Sequence, residues 1–319
     1  MSASGVENPR PPLRPIGPGL AGFFSLLAFL SLPLLPVIGV LAALLAPLPL
    51  VHQTAQGRPA IAAWGWIAVV LAGLTLVVRE PWAAVLCAGY LLVAAWPALA
   101  VEAWLRRSWA TGRWLAIVTL AALAVTCALL VAFALPAAPD SMLETALAPS
   151  IKEASRLAAT LGSRSADVEA AMASTFRLVA YLAPALVALY VAAVALWLRP
   201  RLALFGLPRG GERFATFASE EWLPLGFVVG GLAWVFLPGT AKWLGANLFV
   251  TVIGLYFVHG LAIIHFHLGP RLAANRWVRL GIAVLALQLP LAAGVAVLGL
   301  ADSFFPLRRG VGGEGGVES

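Results

Sequence analysis

The sequence predicts an all-α, polytopic transmembrane helix bundle of about eight or nine spans. Of 319 residues, 61% are hydrophobic and 11% charged, whereas a soluble domain holds about a quarter of its residues as charges. Mean hydropathy is +0.94. Apolar runs of bilayer length follow one another with short polar gaps and leave no room for a separate soluble domain. Residues 19–307 are therefore expected to form one membrane domain.

The net charge of +7 is carried by twenty-one Lys and Arg residues in short clusters between apolar runs. That pattern suits topology signals and contacts with anionic head groups, so the lipid bilayer is an expected partner and nucleic acid is not. Cys87 and Cys127 each lie inside an apolar run, which suits packing residues better than a disulfide or a metal pair.

Residues 1–18 hold five prolines between Pro9 and Pro18 and read as a disordered basic arm. The first apolar run, Gly19 to Val51, exceeds the roughly twenty residues that span a bilayer. Pro33 and Pro36 divide it, so it crosses once as a kinked helix or twice as two short ones. It follows a basic arm as a signal sequence would, but its length predicts a retained anchor.

Spans are next expected over Ile61–Val78, Trp82–Trp104 and Trp114–Leu135. Arg106, Arg107 and Arg113, rimmed by Trp104, Trp109 and Trp114, mark a membrane interface. The interval 136–176 is the longest polar stretch and is rich in alanine. It predicts one or two short surface helices, forming an outward-facing helical loop. Arg177–Leu198 spans again around Pro184, and Arg199, Arg201, Arg209 and Arg213 form a second basic loop.

Pro224 then opens the span Leu223–Leu237, in which Gly226 and Gly230 let a neighbouring helix come close. Leu244 to Arg279 is a further apolar run, containing three of the four histidines. The last span is Val278–Leu300, with Gln288 near its middle, and residues 308–319 form a Gly-rich tail expected to be disordered. The basic loops fall on one side, which the positive-inside rule makes cytoplasmic, giving a multi-pass protein of the cell inner membrane.

The carboxy-terminal half resembles a known family. Phe214, Phe217, Trp222 and Pro224 in FATFASEEWLP, Tyr256, Phe257 and Gly260 in LYFVHGLAIIHF, and Gly299, Asp302, Ser303, Phe304, Phe305 and Arg308 in LGLADSFFPLRR carry the resemblance. On these residues the chain is similar, over roughly residues 175 to 309, to the YybS-like family of bacterial integral membrane proteins. Where that family has an acidic residue ahead of the closing aromatic and Arg, this chain has Pro306. The family is in turn distantly similar to the substrate-binding S subunits of energy-coupling-factor transporters, whose opening spans run into a segment like Pro47-Leu48-Pro49. The resemblance implies a substrate-binding membrane bundle.

The chemistry available to such a chain is narrow. At ~100° per residue, only His259 and His267 approach one helix face, and the other spans offer almost no mid-depth Asp, Glu, Cys or His. No metal or other cofactor is therefore expected. Glu220 and Glu221 ahead of intramembrane histidines suggest an intramembrane metal-dependent hydrolase, but no His-Glu-x-x-His, nucleophile elbow or phosphate-binding loop occurs. No catalytic residue is assigned and no enzyme activity is expected.

What remains is a buried polar set: His259, Gln288, Asn247 and Thr251, with Asp302 and Ser303 at the last helix's end. Gln288 is the expected partner of His259. The set either lines a pocket for a small organic solute or locks helices together. The first reading makes the chain a solute-binding or translocating protein that would need a separate ATPase for active transport. The second makes it a structural or assembly partner in the cell envelope, acting through residues 136–176.

Overall fold

In a computed structural model, the residues described are 17–34, 42–56, 67, 73, 81–107, 109–134, 156, 165–205, 214, 217–274, 288–305 and 307–308. Among them every regular element is a helix. Four stretches are long and apolar enough to cross a bilayer: Leu86–Arg106, Thr111–Ala132, Ala183–Leu202 and Gly239–Gly269. Pro18–Ser31, Leu223–Phe236 and Pro290–Asp302 are shorter apolar helices. The expected span 61–78, the basic arm, most of 136–164 and the tail after Arg308 lie outside the described residues. Contacts group the chain into two compact units, Met1–Ala110 with Tyr190–Gly211, and Thr111–Leu189 with Glu212–Ser319.

In the first unit, α1 (Pro18–Leu34) packs on α2 (Pro47–Ala55), so the first apolar run folds back on itself. Then α3 (Pro81–Tyr90) passes through a π-helical turn, Leu91–Ala95, into α4 (Trp96–Arg107). The wide turn stands just ahead of Pro97, whose ring clashes with the preceding turn of a regular α-helix and which lacks an N–H. Tyr90, fully buried, anchors α3 to α1: Ser25 Oγ lies 2.8 Å from its hydroxyl, and Phe29 meets its ring edge-on at 5.4 Å. Arg199 lies over the ring of Trp104 and Arg201 over that of Trp197.

The second unit contains α5 (Thr111–Ala134), α6 (Ser165–Tyr181), the start of α7 (Ala183–Leu198), α8 (Leu223–Phe236), α9 (Gly239–Ala274) and α10 (Leu289–Asp302). The described part of the long polar interval is thus a helix that runs up to the Pro184 break. α9 has 36 residues, roughly 54 Å at the usual rise, well beyond the ~30 Å hydrocarbon layer. Gly239, at φ +61°, lets the chain turn sharply from α8 into α9.

Two neighbours of α9, the helices α8 and α10, approach it through glycines. A Cβ on Gly230 would sit 2.9 Å from the Phe249 nitrogen, and one on Gly245 2.6 Å from the Trp234 nitrogen, so the expected close approach at Gly226 and Gly230 is present. On the other side, a Cβ on Gly260 would overlap the Val295 carbonyl, and one on Gly299 the Tyr256 carbonyl. Backbone here lies on backbone, as small residues allow in membrane helix pairs. Cys87 and Cys127 are not joined in a disulfide.

Candidate functional site

The predicted polar set is not one site. Asn247 and His259 stand twelve residues apart on α9, roughly 18 Å along its axis. Gln288 lies elsewhere again: it is exposed, with extended backbone (ψ 132°), at the position just before α10, and its side chain makes no capping bond. Its expected pairing with His259 is therefore corrected by the structure. The helix begins only where Pro290 sits at a first-turn position, so Gln288 falls at an end and not at mid-helix.

Asn247, fully buried, repairs a broken helix. Between α6 and α7 the Ala185 N–H would ordinarily bond the Tyr181 carbonyl four residues back. Pro184 opens that turn. Instead the Ala185 N–H donates to Asn247 Oδ1 at 3.1 Å, and Asn247 Nδ2 donates to the Tyr181 carbonyl at 3.0 Å. Trp243 Nε1 donates to the same carbonyl at 2.8 Å. Asn247 Nδ2 also reaches the Trp243 carbonyl, while Thr251 Oγ1 donates to the Asn247 carbonyl. Asn247 and Trp243 thus join α9 to the α6–α7 break, where unmet backbone groups would be costly in an apolar surrounding, while the Thr251 bond stays within α9.

His259 has a different setting. It is 2% exposed and faces the stretch leading into α8 on one side and the end of α10 on the other. Ser219 Oγ is 2.9 Å from its Nδ1, and Asp302 Oδ2 is 2.9 Å from its Nε2. Arg308 Nη2 donates to Asp302 Oδ2 at 2.7 Å and also stands 2.8 Å from His259 Nε2. Arg308 Nη1 donates to the Phe217 carbonyl at 2.8 Å, and the Phe217 ring meets the imidazole edge-on. Ser303 Oγ lies 3.3 Å from Ser219 Oγ on the exposed side. The Asp302 side chain is 6% accessible and that of Arg308 16%.

Local sequence explains the convergence. Gly260 and Gly299 bring α9 and α10 into backbone contact beside His259 and one turn before Asp302. After Asp302 the chain turns back, with the Leu307 N–H donating to Asp302 Oδ1 at 2.8 Å, and this return delivers Arg308. Gly112, at the start of α5, admits the Ala218 carbonyl where any Cβ would overlap it. The Asp302–Arg308 ion pair forms although Pro306 stands where the resembled family has its acidic residue.

Among the predicted residues, the structure brings His259, Asp302 and Ser303 together. It adds Ser219, which stands beside the more conspicuous Glu220 and Glu221, and Arg308, which the sequence marks only through the family resemblance and as the first residue of the tail. Glu220 instead meets Arg113 at 3.4 Å on the surface. His265 and His267 are both exposed, apart from His259, and among the described residues no three potential ligands gather to hold a metal ion.

The line Ser219–His259–Asp302 has the residue types of a nucleophilic triad. Arg308 works against that chemistry, because its guanidinium neutralises Asp302 and stands beside the same imidazole nitrogen that the carboxylate would orient. A base that must become imidazolium gains little there.

A second polar patch, in the first unit, has no counterpart in the sequence reading. His52, Gln53 and Glu102 are buried; His52 Nε2 lies 2.7 Å from Gln56 Nε2, and Arg106 Nη2 pairs with Glu102 at 2.7 Å.

Residues 22–303 match the model of one protein family, described as "Predicted membrane protein (DUF2232)". No curated protein and no solved structure matches the chain.

Proposed function

The chain belongs to this DUF2232 family of predicted membrane proteins, and from that premise we propose that it is a multi-pass protein of the bacterial inner membrane that binds or translocates a small organic solute. The observation that carries the reading is the cluster of Ser219, His259, Asp302 and Arg308. Ionisable side chains buried among membrane helices are costly and are kept mainly for substrate or ion handling. The resemblance to the YybS-like family, and through it to substrate-binding transporter subunits, points the same way. Active transport then depends on a separate ATPase. The basic loops at Arg106, Arg107 and Arg113 and at Arg199 and Arg201 face the cytoplasm under this reading.

The test is thermal unfolding of the purified full chain in detergent against a panel of vitamin-type solutes. One of them is expected to raise the midpoint in a concentration-dependent way, by mass action, and Arg308→Gln to abolish the rise. No rise across the panel refutes the reading. The reading is also non-catalytic: a fluorophosphonate probe is expected to leave Ser219 unlabelled, and labelling lost in Ser219→Ala would overturn that part.

A second reading, a structural or assembly partner in the cell envelope, is favoured by one observation. The Asn247 side chain is occupied in joining helices, and the Thr251 hydroxyl donates within its own helix. Removing residues 136–176 is then expected to abolish association with a partner while membrane insertion persists, and unchanged association counts against it.

A further inference from the structure

His259, Asp302 and Arg308 form a triangle of polar atoms that cannot all bond at once. Its edges are 2.9 Å from Nε2 to Oδ2, 2.7 Å from Nη2 to Oδ2 and 2.8 Å from Nη2 to Nε2. A guanidinium only donates and a carboxylate only accepts. If Nε2 carries a hydrogen, it donates to Asp302 and confronts the Arg308 donor. If Nε2 carries its lone pair, it accepts from Arg308 and confronts the carboxylate oxygen. The position of one proton on the imidazole therefore selects which edge is broken.

The other ring nitrogen leads outward. Nδ1 is 2.9 Å from Ser219 Oγ, and Ser219 Oγ is 3.3 Å from Ser303 Oγ, whose residue is exposed. A hydroxyl both donates and accepts, so Ser219 serves either imidazole tautomer by rotating. A continuous row of polar atoms thus runs from the exposed Ser303 through Ser219 to His259, and on to the buried Asp302 carboxylate.

We infer that His259 is a proton-binding site, reached from solvent through Ser303 and Ser219, whose occupation releases the carboxy-terminal turn. With a proton on each ring nitrogen, Nδ1–H donates to Ser219 and Nε2–H to Asp302. The imidazolium then stands against the Arg308 guanidinium, and two adjacent cations repel. Arg308 withdraws, and its bond to the Phe217 carbonyl goes with it. The proton comes from water and returns to it, so no other reactant is involved.

The charged groups around His259 are few. The α8 helix has none, α5 has only Arg113, the stretch before α8 has Glu220 and Glu221, and α10 has only Asp302. Arg113 pairs with Glu220 at the surface, and of the charged groups among the described residues only Asp302 and Arg308 touch the imidazole. The inference goes beyond solute binding and holds whether or not a solute is present.

The experiment is hydrogen exchange of the segment 298–308 in the full chain, in detergent, corrected for the intrinsic effect of pH. On acidification from pH 8 to pH 5.5, protection is expected to fall roughly tenfold or more, the least that losing a charge-assisted bond implies. His259→Gln is expected to remove this pH dependence. Should that variant fail to fold, the same is read from Arg308→Gln, in which the segment is unprotected at both pH values. Protection that is independent of pH in the native chain, or a pH response that survives either substitution, overturns the inference. Solute panels play no part, so failure here and failure of the solute reading are separate results.

Discussion

Replacing Gly299 with alanine tests the helix crossing on which the site depends. A methyl group there would overlap the Tyr256 carbonyl and stand 2.8 Å from the Gly260 nitrogen and 3.0 Å from the Tyr256 carbonyl carbon. All of these are backbone atoms, so no side chain can swing aside and α10 must move off α9. Restoring ordinary contact, about 3.4 Å, to the Gly260 nitrogen alone needs a parting of about 0.6 Å. Asp302 follows one turn later, and the same parting stretches its 2.9 Å contact with His259 to about 3.5 Å, the limit of a hydrogen bond. Overpacking costs about 1–3 kcal/mol, and weakening a bond to a charged group adds about 1.5–3 kcal/mol.

Gly294 supplies the control, because it lies on the same helix with nothing within 4 Å of its would-be Cβ. Gly294→Ala gains up to about 1 kcal/mol of helix propensity. The assay is unfolding of both variants in mixed detergent micelles, read by circular dichroism. Gly299→Ala is expected to be less stable than Gly294→Ala by at least about 2.5 kcal/mol, the sum of the two lower bounds. Equal stabilities would refute the backbone-on-backbone crossing and with it the reason that Asp302 reaches His259.

Three further outcomes are expected from the same unfolding assay. Asn247→Ala leaves the Tyr181 carbonyl with one donor fewer and the Ala185 N–H without its acceptor, and should cost about 1–3 kcal/mol; Asn247→Ala as stable as the native chain contradicts the helix repair. Asp302→Asn and Arg308→Gln should each destabilise by about 3–5 kcal/mol as a broken buried pair, while the double variant loses clearly less than their sum. Simple additivity would remove the ion pair from the account. Gln288→Ala should change stability by no more than about 0.5 kcal/mol and leave the exchange of segment 298–308 unaltered, since Gln288 is exposed at the start of α10.

Much of the local structure is legible in the residues themselves. Pro224 and Pro290 mark where α8 and α10 start, since proline costs least in a helix's first turn. Gly226 and Gly230 announce a close neighbour, and the tryptophan–arginine clusters mark an interface. The angular spacing of the histidines sets His259 apart from His265 but near the face of His267, whereas the structure buries His259 and leaves both others exposed. Pro184 announces a break, but not that Asn247, more than sixty residues later, fills it.

The site itself was only half legible. His259, Asp302 and Ser303 stand out because polar residues in or beside apolar runs do. Ser219 does not stand out, since a serine before two glutamates looks like ordinary surface, and Arg308 is marked by the family resemblance but not as a partner of His259. Gln288 was chosen for its place in an apolar run, which Pro290 shows to be a helix end.

By itself, then, the sequence determined that this is an all-helical membrane protein, because hydropathy and helix-start signals act over one span at a time and need no partner to be read. Only the tertiary structure decided which polar groups meet. Ser219, His259, Asp302 and Arg308 come from stretches as much as 89 residues apart. They are joined where glycines let α10 and the stretch before α8 close on their neighbours to backbone contact. Such meetings depend on how helices cross and on where the chain turns back, and neither is encoded in any one segment.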